Sequence, residues 1–225
     1  MKNLVLPLLI LPVVFLRDFG VKCAAVHIRD IAISSFPTVH SNVAKTTIGL
    51  ALPESSDDDL LVNLTTSLPY GYAGFAPANT FNANSSQDNS KLHVLAAWVG
   101  LNSNRRSGSY GPIAQYSTVG NNGTSMHFDP SGSVTISDLW FYDDDAEAMT
   151  VLLRCQNCSL IPSSTPDETQ VPLQIFWTAT APVFNPGHLN AILPVQEVIS
   201  ENVVFNAAAA RRSDYEQILA TVGLI

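Results

Sequence analysis

The two cysteines near the end of one apolar run are the residues of this sequence whose spacing most suggests chemistry. Cys155 and Cys158 are separated only by Gln156 and Asn157. A Cys-x-x-Cys pair can be half of a zinc site, a thioredoxin-like redox centre or a disulfide. The sequence offers neither the second ligand pair of a zinc site nor a βαβ pattern. In an oxidising compartment, the pair is therefore expected to form a disulfide.

The other residues that could bind a metal ion do not form a recognisable ligand set. Met126 and His127 are adjacent, so they cannot face each other across one iron atom. His93 lies in an apolar run and is interpreted as a structural histidine. The acidic runs 57–59 and 143–147 do not follow the ligand order of a calcium loop, so they are interpreted as solvated turns. The sequence contains no nucleophile elbow and no phosphate loop.

The N-terminal segment has the pattern of a secretory signal peptide. Lys2 precedes an unbroken apolar stretch from Leu4 to Leu16. This stretch is too short for a membrane span, which needs about 20 residues. Small residues at Cys23 and Ala25 fit cleavage after position 25. We therefore expect a signal peptide at residues 1–25, a mature domain at residues 26–225 and a secreted, extracellular protein; an uncleaved signal anchor is the alternative.

Cleavage would change both the cysteine count and the charge. Removing Cys23 from the three cysteines leaves one pair. The net charge of −8 would become −10, because residues 1–25 carry three basic residues and one acidic residue, a net of +2. No basic stripe remains in such a chain. The charge therefore argues against nucleic acid as a partner and, after signal cleavage, against an anionic membrane surface.

Short apolar runs bounded by turn residues make up most of the chain. The hydrophobic fraction is 46% and the charged fraction 13%, with 14 prolines and 12 glycines spread along the length. Runs of this kind, rich in β-branched and aromatic residues, predict buried strands. The predicted strands are Ile28–Ile33, Thr46–Leu52, Leu60–Thr66, Tyr70–Ala76, Leu92–Val99, Ile113–Val119, Ser125–Phe128, Val134–Tyr142, a run from Ala148, and Val171–Thr180.

The chain becomes irregular after Thr180 and ends in one predicted helix, Ala207–Val222. Its apolar residues lie on one face of the helix, at Tyr215, Ile218, Leu219 and Val222. Gly223 is a suitable stop. Eight or more strands and one terminal helix in about 200 residues predict a single β-sandwich.

Three Asn-x-Ser/Thr triplets predict N-glycosylation, which agrees with secretion. They begin at Asn63, Asn84 and Asn122. Asn157 begins a fourth, but its position between the two cysteines makes it the weakest candidate.

The motif Arg154-Cys-Gln-Asn-Cys158 resembles the Arg-Cys-Gln-x-Cys corner of the cytochrome domain of cellobiose dehydrogenases. The stretches 47–53, 71–76, 92–98 and 205–219 resemble other parts of that domain in the same order. The resemblance covers residues 27–222. It implies an all-β fold, an immunoglobulin-like antiparallel β-sandwich with a short C-terminal helix, related to wider DOMON-type modules that bind haem or sugar.

The resemblance also implies a cofactor and a biological setting. The family's domain is fungal and secreted, and it binds haem b. Its haem passes electrons from a flavin dehydrogenase to copper monooxygenases that attack polysaccharides. Haem b is thus expected here by resemblance only.

The two iron ligands of the family are absent at the matching positions. The family's iron is held by one methionine and one histidine. Alignment on the preceding strand places the methionine at Phe81, and counting back from Trp98 places it at Asn89. Counting back from Tyr215 places the histidine at Glu197. A carboxylate can bind iron, but it does not reproduce a Met/His electron-transfer site.

The leading hypothesis is a non-enzymatic module without catalytic residues, whose former haem pocket binds another ligand, such as a carbohydrate, or a secreted oxidoreductase partner. Its lining residues would be Phe81, Asn89 and Glu197, with Tyr72 or Trp98 as stacking residues.

The alternative is a haem b electron-transfer cytochrome that serves extracellular polysaccharide-degrading oxidoreductases. It requires a ligand outside the family pattern, for which His93 and His188 are the candidates. A hydrolase is a third and weaker reading, because catalytic carboxylates cannot be identified from spacing in the sequence.

Overall fold

The apolar runs of the sequence form strands, which the chain arranges in two sheets. The computed structural model describes residues 35–67, 71–81, 92–101, 110–119, 125–143, 148–161, 169–183, 191–195 and 197–225. The strands are β1 (Thr38–Ser41), β2 (Thr46–Pro53), β3 (Asp59–Ser67), β4 (Tyr72–Pro77), β5 (Leu92–Leu101), β6 (Tyr110–Val119), β7 (Ser125–Phe128), β8 (Ser133–Asp143), β9 (Ala148–Gln156), β10 (Gln170–Thr178), β11 (Leu193–Pro194), β12 (Ile199–Asn206) and β13 (Arg211–Arg212). The helices are α1 (Ala207–Ala210) and α2 (Tyr215–Val222). The predicted signal peptide and the predicted strand Ile28–Ile33 lie outside the described residues.

The strands form one six-stranded and one seven-stranded sheet. The first has the order β1-β2-β3-β9-β8, with β13 alongside β2, and the second has the order β11-β7-β6-β5-β4-β10-β12. Neighbouring strands are antiparallel, except that β13 runs parallel to β2. The predicted all-β sandwich with a short C-terminal helix is confirmed.

The first hydrophobic core lies between the two sheets. Alternate residues of a strand point to opposite faces, so each strand contributes every second side chain. Leu50 and Leu52 of β2 and Leu173 and Ile175 of β10 are fully buried in this core. Met149 of β9 also belongs to it.

The predicted helix Ala207–Val222 is wrong in its extent. Its helical conformation breaks at Arg211–Arg212, which pair with Leu52 and Pro53 of β2. Arg211 donates to the Pro53 carbonyl at 3.1 Å and forms an ion pair with Asp57. These tertiary contacts outweigh the helix propensity of the preceding alanines. The predicted apolar stripe survives because all of it lies in α2.

The interpretation of the chain after Thr180 as irregular is also wrong, because β12 lies there. This strand pairs with β10 along its whole length at the edge of the second sheet. Its alternation is poor, since Ile199 and Val204 are 41% and 63% exposed. An edge strand with apolar residues on both faces gives little period-two signal.

Cys155 and Cys158 form the predicted disulfide, and both residues are fully buried. The Cys158 N–H donates to the Asp58 carbonyl at 2.9 Å, and the Ser159 N–H donates to the Tyr116 hydroxyl at 2.9 Å. Tyr116 belongs to the second sheet. The corner therefore connects the two sheets as well as closing a short ring.

A polar cluster attaches α2 and the C-terminus to the outer face of the first sheet. Asp59 accepts two hydrogen bonds from Arg154, at 3.0 and 2.6 Å, and one from the Tyr215 hydroxyl at 2.9 Å. Arg154 also donates to the Leu224 carbonyl at 3.3 Å. The hydrogen bond to Asp59 raises the pKa of the Arg154 guanidinium.

Neither described helix has the length and apolar character needed to cross a membrane.

Candidate functional site

The outer face of the second sheet carries a second hydrophobic core, which we call the outer-face cluster. It exists because strands β4, β5, β6 and β10 have apolar residues on both faces, as in sheets covered on both sides, and because β7 adds Met126 to the outer face. The cluster consists of Tyr72, Ala76, Val94, Ala96, Trp98, Ile113, Val119, Met126, Phe176, Ala191 and Leu193.

Two segments of irregular chain contribute to covering this face. One is the turn 78–81 after β4, and the other runs from 191 to 198 through β11, with residue 196 outside the described residues. Phe81, Val195 and Val198 pack against the outer-face cluster. Glu197 lies between the two valines, exposed, with a φ of 62°. Phe81 and Glu197 therefore both belong to segments that border this face, whereas Asn89 lies outside the described residues.

Phe81 is one of the two positions, with Asn89, at which the resemblance expects a methionine. Its ring packs edge-to-face on Phe176, with 4.8 Å between ring centroids, and Phe176 contacts Tyr72 in the same way at 6.1 Å. The Phe81 N–H donates to Gln174 Oε1 at 2.9 Å. Backbone and ring together hold Phe81 directly on the sheet.

Hydrogen bonds attach the other segment to the sheet equally closely. The Tyr72 hydroxyl donates to the Pro194 carbonyl. Gln115 Nε2 donates to the Ala191 carbonyl at 3.2 Å. These bonds satisfy buried polar groups in an apolar setting, where an unpaired group would be costly. They hold 191–194 against the sheet without any intervening group.

The residues present do not fit haem on this face. A macrocycle would have to lie between the sheet and its cover, yet the Phe81–Phe176 and Tyr72–Pro194 contacts join the two directly. Of the positions to which the resemblance assigns the iron ligands, Phe81 has no donor atom, Glu197 offers an exposed carboxylate, and Asn89 lies outside the described residues. A Met/His site is not reproduced by this pair.

His93 lies on the other face of the sheet. Its neighbour Val94 belongs to the outer-face cluster, so strand alternation directs the imidazole the opposite way. There it stacks on Tyr116, with 5.1 Å between ring centroids, and its Nδ1 is 3.4 Å from Asp129 Oδ2. The structure thus does not bring His93 together with Phe81 and Glu197. His188 lies outside the described residues.

Met126 is the residue of this face that sequence reasoning missed. It is fully buried in the outer-face cluster and pairs with Leu193 of β11. His127 is exposed on the opposite side of β7, with its Nε2 2.8 Å from Ser125 Oγ. The two adjacent residues therefore point apart, as predicted. The alternation of side chains between the two faces of β7 is the sequence signal that could have placed Met126 on this face.

The prediction that Tyr72 or Trp98 stacks on a ligand needs correction. Both side chains lie on the expected face, but both are 0% exposed. Their rings pack within the outer-face cluster and expose no ring face on which a ligand could stack.

Alkaline pH should destabilise the protein through its buried tyrosines. Burial raises the pKa of Tyr72, Tyr116 and Tyr215 above the ordinary range. The folded protein retains phenol protons that the unfolded chain loses above about pH 10. The contribution of these tyrosines to the free energy of unfolding is therefore complete below that pH and declines above it. Urea unfolding between about pH 9 and 11 should show this decline, with a shallower slope in Tyr72→Phe. Phenolate absorbance of these groups near pH 10 in the folded protein would contradict the prediction.

One of the three predicted glycosylation residues, Asn63, lies among the described residues. Asn63 is half-buried in β3, between Gly49 of β2 and Leu152 of β9. Asn84 and Asn122 lie outside the described residues. A glycan on any of the three stays a prediction.

Comparison with known proteins identifies the fold of the chain. No protein-family model matches it, and no curated protein does. A solved structure that resembles it is the crystal structure of the cytochrome b domain of pyranose dehydrogenase from Coprinopsis cinerea, with a TM-score of 0.58 and 14% identity over 83% of this chain and 89% of that one. At this identity the likeness concerns the fold alone. The outer-face cluster and its cover therefore belong to a chain with the fold of a cytochrome b domain.

Proposed function

We propose that this protein is a secreted, non-enzymatic binding module that uses the cytochrome b-type sandwich without haem, and that its ligand is a carbohydrate. The contact between Phe81 and Phe176 is the observation that carries the proposal, because it puts a phenylalanine ring directly on the sheet at one of the two positions that the resemblance gives for the family's methionine. The hydrogen bond from Tyr72 to Pro194 supports it on the other covering segment.

The carbohydrate class rests on the resemblance to cellobiose dehydrogenase cytochrome domains, whose wider relatives bind haem or sugar. Loss of the iron ligands leaves sugar as the remaining ligand class of such modules. Secretion is supported by the N-terminal apolar stretch and by the buried disulfide Cys155–Cys158, since disulfides persist in oxidising compartments.

One observation favours haem b electron transfer as the second candidate. Met126 places a thioether in the outer-face cluster, and thioethers are ligands of haem iron in cytochromes. No histidine among the described residues lies on that face, and His188 lies outside them, so an axial partner for Met126 would have to come from outside the described part of the chain. The second candidate is therefore weaker than the first.

Retention by insoluble polysaccharides tests the proposal. Purified mature protein is mixed with cellulose, chitin or xylan, and the unbound fraction is measured. We expect at least one polysaccharide to remove the protein from solution, with release by the matching soluble oligosaccharide and without formation of new reducing ends. Heat-unfolded protein is the control. Equal recovery of folded and unfolded protein from every polysaccharide would contradict carbohydrate binding.

A further inference from the structure

Gln115 has an unpaired acceptor in the outer-face cluster. This residue of β6 is 1% exposed, and its Nε2 donates to Ser117 Oγ at 2.7 Å and to the Ala191 carbonyl at 3.2 Å. Its Oε1 has no hydrogen-bond partner among the described residues. Exchanging Oε1 and Nε2 would set two acceptors against each other at Ala191, so the orientation of the amide is determined by that carbonyl.

The unpaired oxygen defines the chemistry of what would satisfy it. A carbonyl oxygen accepts hydrogen bonds only, and a buried acceptor without a donor destabilises the fold. The group that approaches Oε1 must therefore carry O–H or N–H. Because Oε1 is buried, that group must also be small, such as a single hydroxyl.

An exposed aromatic ring lies on the same face of the sheet, in the neighbouring strand. Phe128 of β7 pairs with Ser117 of β6, two residues from Gln115 on the same strand. Strand alternation places Phe128 on the same face as Met126, and it is 40% exposed. The described residues of β5, β6 and β7 on this face are all uncharged, which disfavours a charged ligand.

We propose that Gln115, Ser117 and Phe128 form a subsite for one ring of a neutral carbohydrate. A ligand hydroxyl donates to Gln115 Oε1, and the C–H face of the sugar ring packs on Phe128. Aromatic side chains suit such amphipathic groups, since the ring supplies apolar contact while neighbouring polar atoms supply hydrogen bonds. The subsite rests on the proposed function and assigns residues to it.

Four variants test the subsite on whichever polysaccharide retains the wild type, and on cellotetraose and xylotetraose in solution. Gln115→Met removes the unpaired oxygen, and Phe128→Ala removes the ring. The controls are Thr66→Val, a buried polar residue of the first sheet whose hydroxyl already has a partner, and Val204→Ala, another exposed apolar residue of the second sheet. We expect affinity to fall about ten-fold or more in the first two and to stay unchanged in the controls.

The outcomes separate the subsite from the proposed function. Wild-type affinity in Phe128→Ala and Gln115→Met would overturn the subsite and leave carbohydrate binding intact. Failure of the wild type to bind any of these carbohydrates would overturn both. If Gln115→Met does not fold, Phe128→Ala decides the matter alone. A crystal structure with the oligosaccharide elsewhere and only water at Gln115 Oε1 would also overturn the subsite.

Discussion

Asp59→Ala is expected to lower the free energy of unfolding by about 2–3 kcal/mol, the usual cost of removing a hydrogen-bond partner from a charged, partly buried group. The side chains of Arg154 and Asp59 are 14% and 19% exposed. Without the carboxylate, the guanidinium would keep the Leu224 carbonyl as an acceptor, and the Tyr215 hydroxyl would lose the carboxylate that accepts its hydrogen bond. Helix α2 would thereby lose the Tyr215 part of its polar attachment to the first sheet, while Ser137 Oγ of β8 still donates to the Val222 carbonyl at 2.6 Å. Urea unfolding followed by circular dichroism measures the change.

Asp214→Ala is the matched control for this prediction. It breaks the ion pair between Arg212 and Asp214, whose side chains are 25% and 44% exposed. Solvent screens a pair of this kind, so the cost should be below about 1 kcal/mol. Equal losses in the two variants would mean that burial does not distinguish the two pairs and that the Asp59 cluster does not hold α2.

Gly74→Ala should have the second large effect, on the sheet that carries the outer-face cluster. A Cβ atom on Gly74 would lie 1.9 Å from the Leu95 carbonyl oxygen and 2.9 Å from the Ala96 Cα. Both are backbone atoms of β5, so relief requires β4 and β5 to move apart. We expect a loss of about 3 kcal/mol or more, or failure to fold.

Gly49→Ala provides the comparison, since it also adds one methyl group to a strand. There the new Cβ would lie 3.3 Å from the Phe36 Cβ, with its other neighbours at 3.4 and 3.7 Å. A small side-chain shift accommodates such a contact, and the expected loss is below about 1 kcal/mol. Thermal unfolding of both variants gives the difference. Comparable midpoints would show that β4 and β5 are not as closely apposed as the structure has them.

Much of the fold could be predicted from local pattern. Residues Leu92–Val99 include apolar side chains at both odd and even positions, and a strand with this pattern is buried on both faces. This is why one strand supplies both the core between the sheets and the outer-face cluster. The family resemblance assigned Phe81 and Glu197 to the pocket, and both lie in segments bordering that face.

The rest depended on contacts between residues distant in the chain. The break in the C-terminal helix arises from Arg211 contacting Pro53 and Asp57, which no local propensity reveals. His93 and Phe81 lie on opposite faces of the second sheet. The sequence of β5 does not reveal which of its faces points away from the first sheet. The unpaired oxygen of Gln115 becomes visible only when Ala191, far along the chain, is placed against its Nε2.

The most direct test of a cytochrome-type sandwich without haem is an absorption spectrum. The protein is secreted from a fungal host supplied with haem, purified, and measured before and after addition of haemin and reductant. We predict a protein spectrum with no haem absorption, unchanged by haemin, because Phe81 and Pro194 contact the sheet directly. A Soret band with sharp bands in the reduced state would contradict this and identify a working cytochrome.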